Sequence, residues 1–446
     1  MKDIPRQRTA PTVPALATQG AEAGNDRDWS WVEAVVWTER MVSALVNGVK
    51  GGRWFSLIDK VTAPATLQVA WAKVRANRGA AGVDGQSVER FERQAEQYLS
   101  ELADGLRDGS YRPQPVRRVE IPKGDGRTRP LGIPAVKDRI VQTALKLVIE
   151  PIFEVKFCPT SYGFRPGLGC KDGLREVDQL IGEGYTFVVD ADLESYFDTI
   201  PKEQLMHRVE ERISDGRVLA LVRAFLDQDV MQGLERWTPA AGTPQGAVIS
   251  PLLANIYLHP LDELMASRGY RMVRYADDFV VLCKSREEAE AALEEIRRWV
   301  AENGLRLSPA KTHLGDCRQP GQGFEFLGYR FEAGRRKVRK KSLDRFKDKI
   351  RAKTGRTRGD SLQRIVTDLN RTLRGWFAYF KHADPFTFVG LDRFIRRRLR
   401  TLLRKQTKRS GIGHTLADHQ RWPNAFFAQA GLLALSGAWR AARHPR

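Results

Sequence analysis

Apolar and polar positions change period several times along the chain, and each change marks an expected element. From Trp31 to Arg107 the pattern is mostly helical. In "TLQVAWAKVRANRGAAGVDGQSVERFERQAEQYLSELADGLRDG" apolar residues recur at three and four, while "NRGAAGVDGQS" interrupts them with turn residues. "YRPQPVRRVEIPKGDGRTRPLGIP" predicts two short extended pieces flanking a loop from Lys123 to Arg129, and "KDRIVQTALKLVIEPIFEVKF" predicts an amphipathic helix. After a second helix through "KDGLREVDQLIGEG", the β-branched and aromatic run opening "YTFVVDADLESYFDTIP" predicts a core strand that carries Asp190 and Asp192. Residues 203 to 232 predict helix and "GTPQGAVIS" a loop. "SPLLANIYLHPLDELMASRG" predicts another helix, with Ser250 as N-cap and Pro251 at the first helical position.

Next, "RMVRYADDFVVLC" reads as a strand pair with Asp277 and Asp278 at its turn, and "SREEAEAALEEIRRWVAENG" as a helix. Two short strands follow, around "LRLSPAKTHLG" and "FEFLGYRFE". Helix and strand mix without strict βαβ alternation, so the expected class is α+β rather than a doubly wound parallel sheet. From Ser342 onwards the pattern is helical and basic, and no internal repeat is visible.

Composition narrows the class. With 446 residues and 42% hydrophobic content, the chain has material for a substantial core and is not a disordered protein. Cys158, Cys170, Cys283 and Cys317 lie far apart with no C-x-x-C pair, which argues against a disulfide framework or a zinc ribbon and fits a reducing, cytoplasmic setting. The first 28 residues are rich in Pro, Ala, Gly and polar types and hold no signal-peptide core, so a flexible tail over residues 1–30 is expected. No run approaches the roughly 18 apolar residues of a membrane span, and no membrane partner is expected.

The charge is +20, and it is unevenly placed. Residues 331 to 446 hold 30 Lys+Arg against 8 Asp+Glu, which leaves 44 basic and 46 acidic residues in residues 1 to 330. All of the excess positive charge therefore lies in the C-terminal segment, which points to a polyanion partner, most plausibly nucleic acid.

The acids raise the question of chemistry. Side chains two apart on a strand share a face, so Asp190 and Asp192 project together. A turn bearing Asp277 and Asp278 placed beside that strand gathers like charges that need cations to neutralise them. Carboxylates without His or Cys nearby suit Mg²⁺. Two such ions form the clamp of phosphoryl transfer, one at a 3′ hydroxyl and one at a triphosphate. For an isolated Asp-Asp pair, a solvated bend favoured by those residues is the competing explanation.

The pair is not isolated. "DADLESYFD", "GTPQGAVISPLLANIYLH", "RYADDFV" and "FLGY", in that order, resemble blocks of the reverse transcriptases encoded in bacterial group II introns. "NRGAAGVDGQS", "YRPQPVRRVEIPK", "RPLGIP", "KDRIVQ" and "SYGFRPG" match earlier blocks of that family. The resemblance covers about Trp37 to Asn424. It implies a right-hand polymerase with fingers, a palm built on an antiparallel sheet, and an all-helical thumb or maturase domain.

Carried over by position, the resemblance puts the metal ligands of two Mg²⁺ ions on Asp192 and Asp277, with Asp278 the third member of the cluster and Asp190 and Asp198 in supporting roles. It puts the nucleotide site on Lys123, Arg129, Leu193, Phe197 and Gln245. Phe197 would be the aromatic gate against a ribose 2′ hydroxyl, although core packing beside Tyr196 would also explain it. Ala247 stands where the family commonly has Gly. Phe326, Leu327, Gly328 and Tyr329 match the primer grip, and burial in the palm would explain the two aromatics as well.

In the C-terminal segment, "LDRFIRRRLRTLLRKQTKRSG" predicts a helix offering Arg396, Arg397, Arg398, Arg400, Arg404 and Lys405 to phosphates. The expected division is 31–330 fingers and palm, 331–410 thumb and maturase, and 411–446 a short basic segment. No endonuclease domain is expected after it, which resembles the class C lineage. Expected partners are group II intron RNA, an RNA template with a DNA primer, target DNA and dNTPs. Two alternatives stay open at this stage: an RNA-binding maturase with a silent polymerase, and a related reverse transcriptase serving phage defence or a CRISPR system.

Overall fold

The computed structural model describes residues 28–122 and 128–443. Most of the expected N-terminal tail lies outside these residues, and so does Lys123. Trp29, inside the expected tail, packs against the core.

Among the described residues eleven strands form three sheets. They are β1 (Val116–Pro122), β2 (Thr128–Ile133), β3 (Phe187–Asp192), β4 (Val230–Gln232), β5 (Glu235–Trp237), β6 (Arg271–Tyr275), β7 (Asp278–Cys283), β8 (His313–Asp316), β9 (Phe324–Phe326), β10 (Tyr329–Glu332) and β11 (Arg335–Val338). The sheet in the expected fingers, called the fingers sheet below, runs β2-β1-β4-β5, with β1 parallel to β4; the sheet in the expected palm, called the palm sheet below, runs β6-β7-β3-β8, antiparallel throughout; the third runs β11-β10-β9. The α+β class and the antiparallel palm sheet are as expected.

The palm sheet is apolar on both faces, and its alternation explains why. Val189 and Ala191 of β3, with Phe279, Val281 and Cys283 of β7, enter one core shared with the fingers and palm helices. Val188, Val280 and Leu282 point the other way, into a second core built with the C-terminal helices. By the two-residue period, Asp190, Asp192 and Asp278 belong to the second face. The acids thus stand on the side of the sheet that the C-terminal module covers.

The helix Val136–Glu154 is not amphipathic as expected. Sixteen of its 19 residues are buried, because other helices and the palm enclose it on all sides. The stretch from 203 to 232 splits into helices Lys202–Glu210 and Gly216–Leu226 and then strand β4, which the fingers sheet recruits by parallel pairing to β1. "FEFLGYRFE" is a hairpin, not one strand: Leu327 and Gly328 have φ of 47° and 84°, the paired positive values of a tight two-residue turn between β9 and β10.

The third sheet crosses residue 330, and the C-terminal helices begin only at Lys340–Lys353. Leu362–Phe380 and Pro385–Gln406 complete the main bundle around Phe346, Ile365, Leu369, Phe388, Ile395 and Leu399. Among the described residues no helix is long and apolar enough to cross a membrane.

Candidate active site

Antiparallel pairing brings the acids together. In the β3–β7 register Asp192 faces Asp278 and Asp190 faces Val280, while Tyr275 of β6 also pairs with Asp278. The turn between β6 and β7 is therefore Ala276–Asp277. Ala276 has φ 60°, where a two-residue hairpin ordinarily carries glycine. A non-glycine residue held there costs about 1–3 kcal/mol and persists only where its surroundings over-determine it.

Those surroundings centre on Arg274. It is 0% exposed, and it donates to both carboxylate oxygens of buried Asp262, with Nε at 2.6 Å, to Asn255 Oδ1 at 3.0 Å and to the Ala276 carbonyl at 2.9 Å. Asn255 in turn donates to the Gly163 carbonyl at 2.8 Å. Gly163 lies so close to the Ala276 backbone that no Cβ would fit. One ion pair and one glycine thus hold the turn that presents Asp277. Nothing in the periodicity of "RMVRYADDFVVLC" singles out Arg274, although an arginine inside a buried strand is itself a signal that a partner must exist.

Burial makes the acids costly to ionise. Burial, and then the neighbouring charges of Asp190, Asp277 and Asp192, together raise the carboxyl of Asp278 to about 7. Burial likewise raises Asp190 to about 6, against the pull of His313, whose Nε2 lies 3.8 Å away. Asp277 is raised by burial and by Asp192, while Arg129 and Lys311 oppose the rise. Asp190 also accepts from the Glu325 N–H at 3.4 Å, which ties the palm strand to β9.

Asp192 is half-exposed, and its carboxylate pairs with Lys311 Nζ at 2.7 Å. Lys311 has no counterpart in the sequence reading. No pattern in "SPAKTHLG" marks it, because β8 reaches β3 only through tertiary pairing.

Among the described residues no three Asp, Glu, His or Cys side chains converge tightly enough to cage a metal. Mg²⁺ requires no such cage. It is usually held by one or two carboxylates together with substrate phosphates, and keeps several waters. The donor set is all carboxylate oxygen, and its proton affinity is raised first by burial and then by neighbouring carboxylates, both of which a bound cation offsets. The residues fit a divalent ion of this kind.

Around this centre the expected nucleotide residues divide. Phe197 lies on the short helix Tyr196–Thr199, entered through Ser195 at φ 47°; its ring is 5.6 Å from that of Tyr196 and half-buried. Phe197 and Gln245 line one cavity of about 230 Å³ together with Arg118, Trp237 and Gly132. Gln245 Nε2 reaches Asp198 Oδ2 at 3.5 Å. Arg129 is exposed on β2, where its charge is felt at Asp277. The Leu193 side chain is 4% exposed and its backbone is bridged to Leu307, because strand alternation turns it away from the face that Asp192 occupies. Ala247 is accommodated because the positive φ of that loop, 107°, falls on Gly246.

The primer-grip candidates also divide. Phe326 and Tyr329 are 1% exposed core residues. Leu327 and Gly328 form the turn, locked by reciprocal bonds in which Tyr329 Oη donates to the Tyr379 carbonyl at 2.6 Å and Tyr379 Oη to the Leu327 carbonyl at 2.7 Å.

Of the six basic candidates, Arg397 and Lys405 are exposed and Arg396 is half-buried. Arg400 is corrected: at 2% exposure it donates to the Trp422 carbonyl at 2.9 Å and to Asn424 at 3.1 Å, joining the last helices to the bundle. Arg398 donates to Thr354, and Arg404 to Asp418 and the Ser410 carbonyl. Helical period alone does not distinguish a cation facing water from one facing a neighbouring helix end.

Comparison with known proteins agrees with this geometry. Residues 121–331 match the family model "Reverse transcriptase (RNA-dependent DNA polymerase)", and residues 343–422 match "Group II intron, maturase-specific domain". Protein YkfC of Escherichia coli K12 is 36% identical over 316 residues, covering 61% of this chain and 82% of YkfC. Group II intron-encoded protein LtrA of Lactococcus lactis is 27% identical over 356 residues, covering 63% of this chain; the chain spans 58% of LtrA's length. With the palm acids in register and a maturase-specific module folded against the same sheet, the chain belongs to the reverse transcriptases of the group II intron type.

Proposed function

We propose that the chain copies RNA into DNA, with Asp192 and Asp277 as the ligands of two Mg²⁺ ions and Asp278 as the supporting charge, and that it acts as maturase and mobility enzyme for a group II intron. The observation that carries this reading is the register setting Asp192 opposite Asp278 beside the turn that presents Asp277. When bound, the ions supply activation of a primer 3′ hydroxyl and neutralisation of the triphosphate.

The chain's own residues do the rest. The Arg129 guanidinium is a planar fork for phosphate oxygens, and Lys123, outside the described residues, supplies a point charge for the same triphosphate. The Phe197 ring excludes a 2′ hydroxyl sterically. The Leu327–Gly328 turn holds the primer strand, because its two locked tyrosines fix the backbone. Gln245 lines the nucleotide pocket. Residues 31–330 form fingers and palm, 331–410 the thumb and maturase domain, and 411–446 a basic extension for target DNA or RNA. In the basic module Arg396, Arg397 and Lys405 hold phosphates of the template duplex and of intron RNA through charge and A-form shape.

Extension of a DNA primer on an RNA template with dNTPs and Mg²⁺ tests the polymerase reading. Splicing of a cognate intron at low Mg²⁺ tests the maturase reading. Product in the first assay and accelerated splicing in the second are expected; RNA binding without DNA product would overturn the polymerase assignment.

A further inference from the structure

The loop from Gly242 to Gly246 does more than supply Gln245. Gly242, at φ 89°, sits in the elbow beneath the helix that carries Phe197. Its N–H donates to the Ile200 carbonyl at 2.8 Å, and the N–H of Thr243 donates to the carbonyl of Phe197 itself at 2.7 Å. A Cβ at position 242 would lie 2.6 Å from the Phe197 carbonyl oxygen and 2.8 Å from the Asp198 Cα. The approach of loop to helix is therefore backbone against backbone.

Both ends of this loop are anchored. The hydroxyls of buried Thr243 and Ser250 are 2.6 Å apart, and Ser250 Oγ donates to the Pro244 carbonyl at 2.9 Å. Ser250 was expected to cap the following helix, but Ile249 takes that place and the hydroxyl ties the loop instead. At the other end the Gly132 N–H of β2 donates to the Gln245 carbonyl at 2.6 Å. The loop is a strap from the fingers sheet to the backbone of the gate. Phe197 lines the cavity of about 230 Å³, so its surroundings are not fully packed. The strap then carries much of the ring's placement.

We infer that Gly242 and Thr243 are positioning residues for sugar selection, which set the height of the Phe197 ring through its backbone. The inference rests on the reading of Phe197 as the gate. An added methyl at 242 needs roughly 0.8 Å more room to move from 2.6 Å to an ordinary 3.4 Å contact. Misplacement of about 1 Å at a reacting centre can change rates by about 10²-fold.

The test is single-nucleotide primer extension, giving kcat/KM for a dNTP and for the rNTP of the same base, on wild type, Phe197→Ala, Gly242→Ala and Thr243→Val. Melting curves establish which variants fold. Phe197→Ala should lower the dNTP/rNTP ratio most, and Gly242→Ala should lower it about tenfold, a change of one decade in relative transition-state binding. Thr243→Val keeps the backbone donor and loses the tie to Ser250. It should lower the ratio by less, and it decides the matter if Gly242→Ala does not fold. A wild-type ratio in the folded loop variants, with a lowered ratio in Phe197→Ala, would overturn the inference and leave the gate standing. An unchanged ratio in Phe197→Ala would remove the gate itself, and the inference with it.

Discussion

Replacing Arg274 by methionine tests how the acidic turn is held. Arg274 is fully enclosed, and its partner Asp262 is 2% exposed, so the variant leaves a carboxylate buried without its counter-charge. Breaking one side of such a pair costs about 3–5 kcal/mol. That is a large share of the ~5–15 kcal/mol that separates folded from unfolded states. The Ala276 carbonyl also loses its donor, and with it the turn loses part of what keeps a non-glycine residue at φ 60°.

Converting the whole pair, Arg274→Met with Asp262→Leu, removes the orphaned charge, and full apolar replacement of a buried pair is often neutral to stabilising by about 1–4 kcal/mol. The double variant should therefore recover most of the stability in urea unfolding. It should not recover single-turnover DNA synthesis, because the Ala276 carbonyl remains untied. A loss of about 10²-fold is expected for roughly 1 Å of misplacement. Recovery of both stability and synthesis would show that the tie to Ala276 has no positioning role. Unchanged stability in the single variant would refute the reading of the ion pair.

Other outcomes follow from the same geometry. Asp278 and Asp190 have carboxyls raised by burial to about 7 and about 6, so the folded state binds protons that the unfolded chain has already released. Their contribution to metal-free stability is full near pH 4 and falls as pH rises towards 7. Thermal melts without metal should show that fall in the wild type and a shallower one in Asp278→Asn; parallel curves would contradict it. Mg²⁺ should stabilise the wild type more at pH 8 than at pH 6, which melts with and without the ion measure directly. Arg397→Ala and Lys405→Ala should each weaken RNA binding and reduce the slope of log affinity against log salt by about 1. Arg400→Ala should instead lower the melting temperature, because its guanidinium joins Trp422 and Asn424 to the bundle.

Much of the fold could be read from local pattern. The β-branched run at Phe187–Asp192, the apolar runs either side of Asp277 and the basic helical periodicity after Ser342 all became the expected elements. The pairings did not lie in any local pattern. Nothing in the 190s states that Asp192 will stand opposite Asp278, because antiparallel register between segments some 85 residues apart is settled by the two cores that the sheet separates. The helix Val136–Glu154 differs from its expected pattern for a related reason, since its polar Asp138 and Gln142 are buried and accept hydrogen bonds from distant partners.

At the site, motif order carried the acids and Phe197, and the structure supplied what motifs omit. Lys311 and Gly242 contact residues remote in sequence, and Arg274 holds its own turn through Asp262 and Asn255 of the preceding helix. Arg400 shows the converse, a residue offered to phosphates by its neighbours in sequence and drawn into the fold by its neighbours in space.

The central claim is that the turn of β6 and β7 holds metal for DNA synthesis and does not merely bend the chain. Primer extension on an RNA template by Asp277→Asn, measured beside its RNA affinity, tests this most directly. DNA synthesis should be abolished while RNA binding stays within about twofold of wild type, since the altered group lies on the palm sheet and the proposed phosphate contacts lie in the basic module. DNA synthesis persisting at a wild-type rate would contradict it.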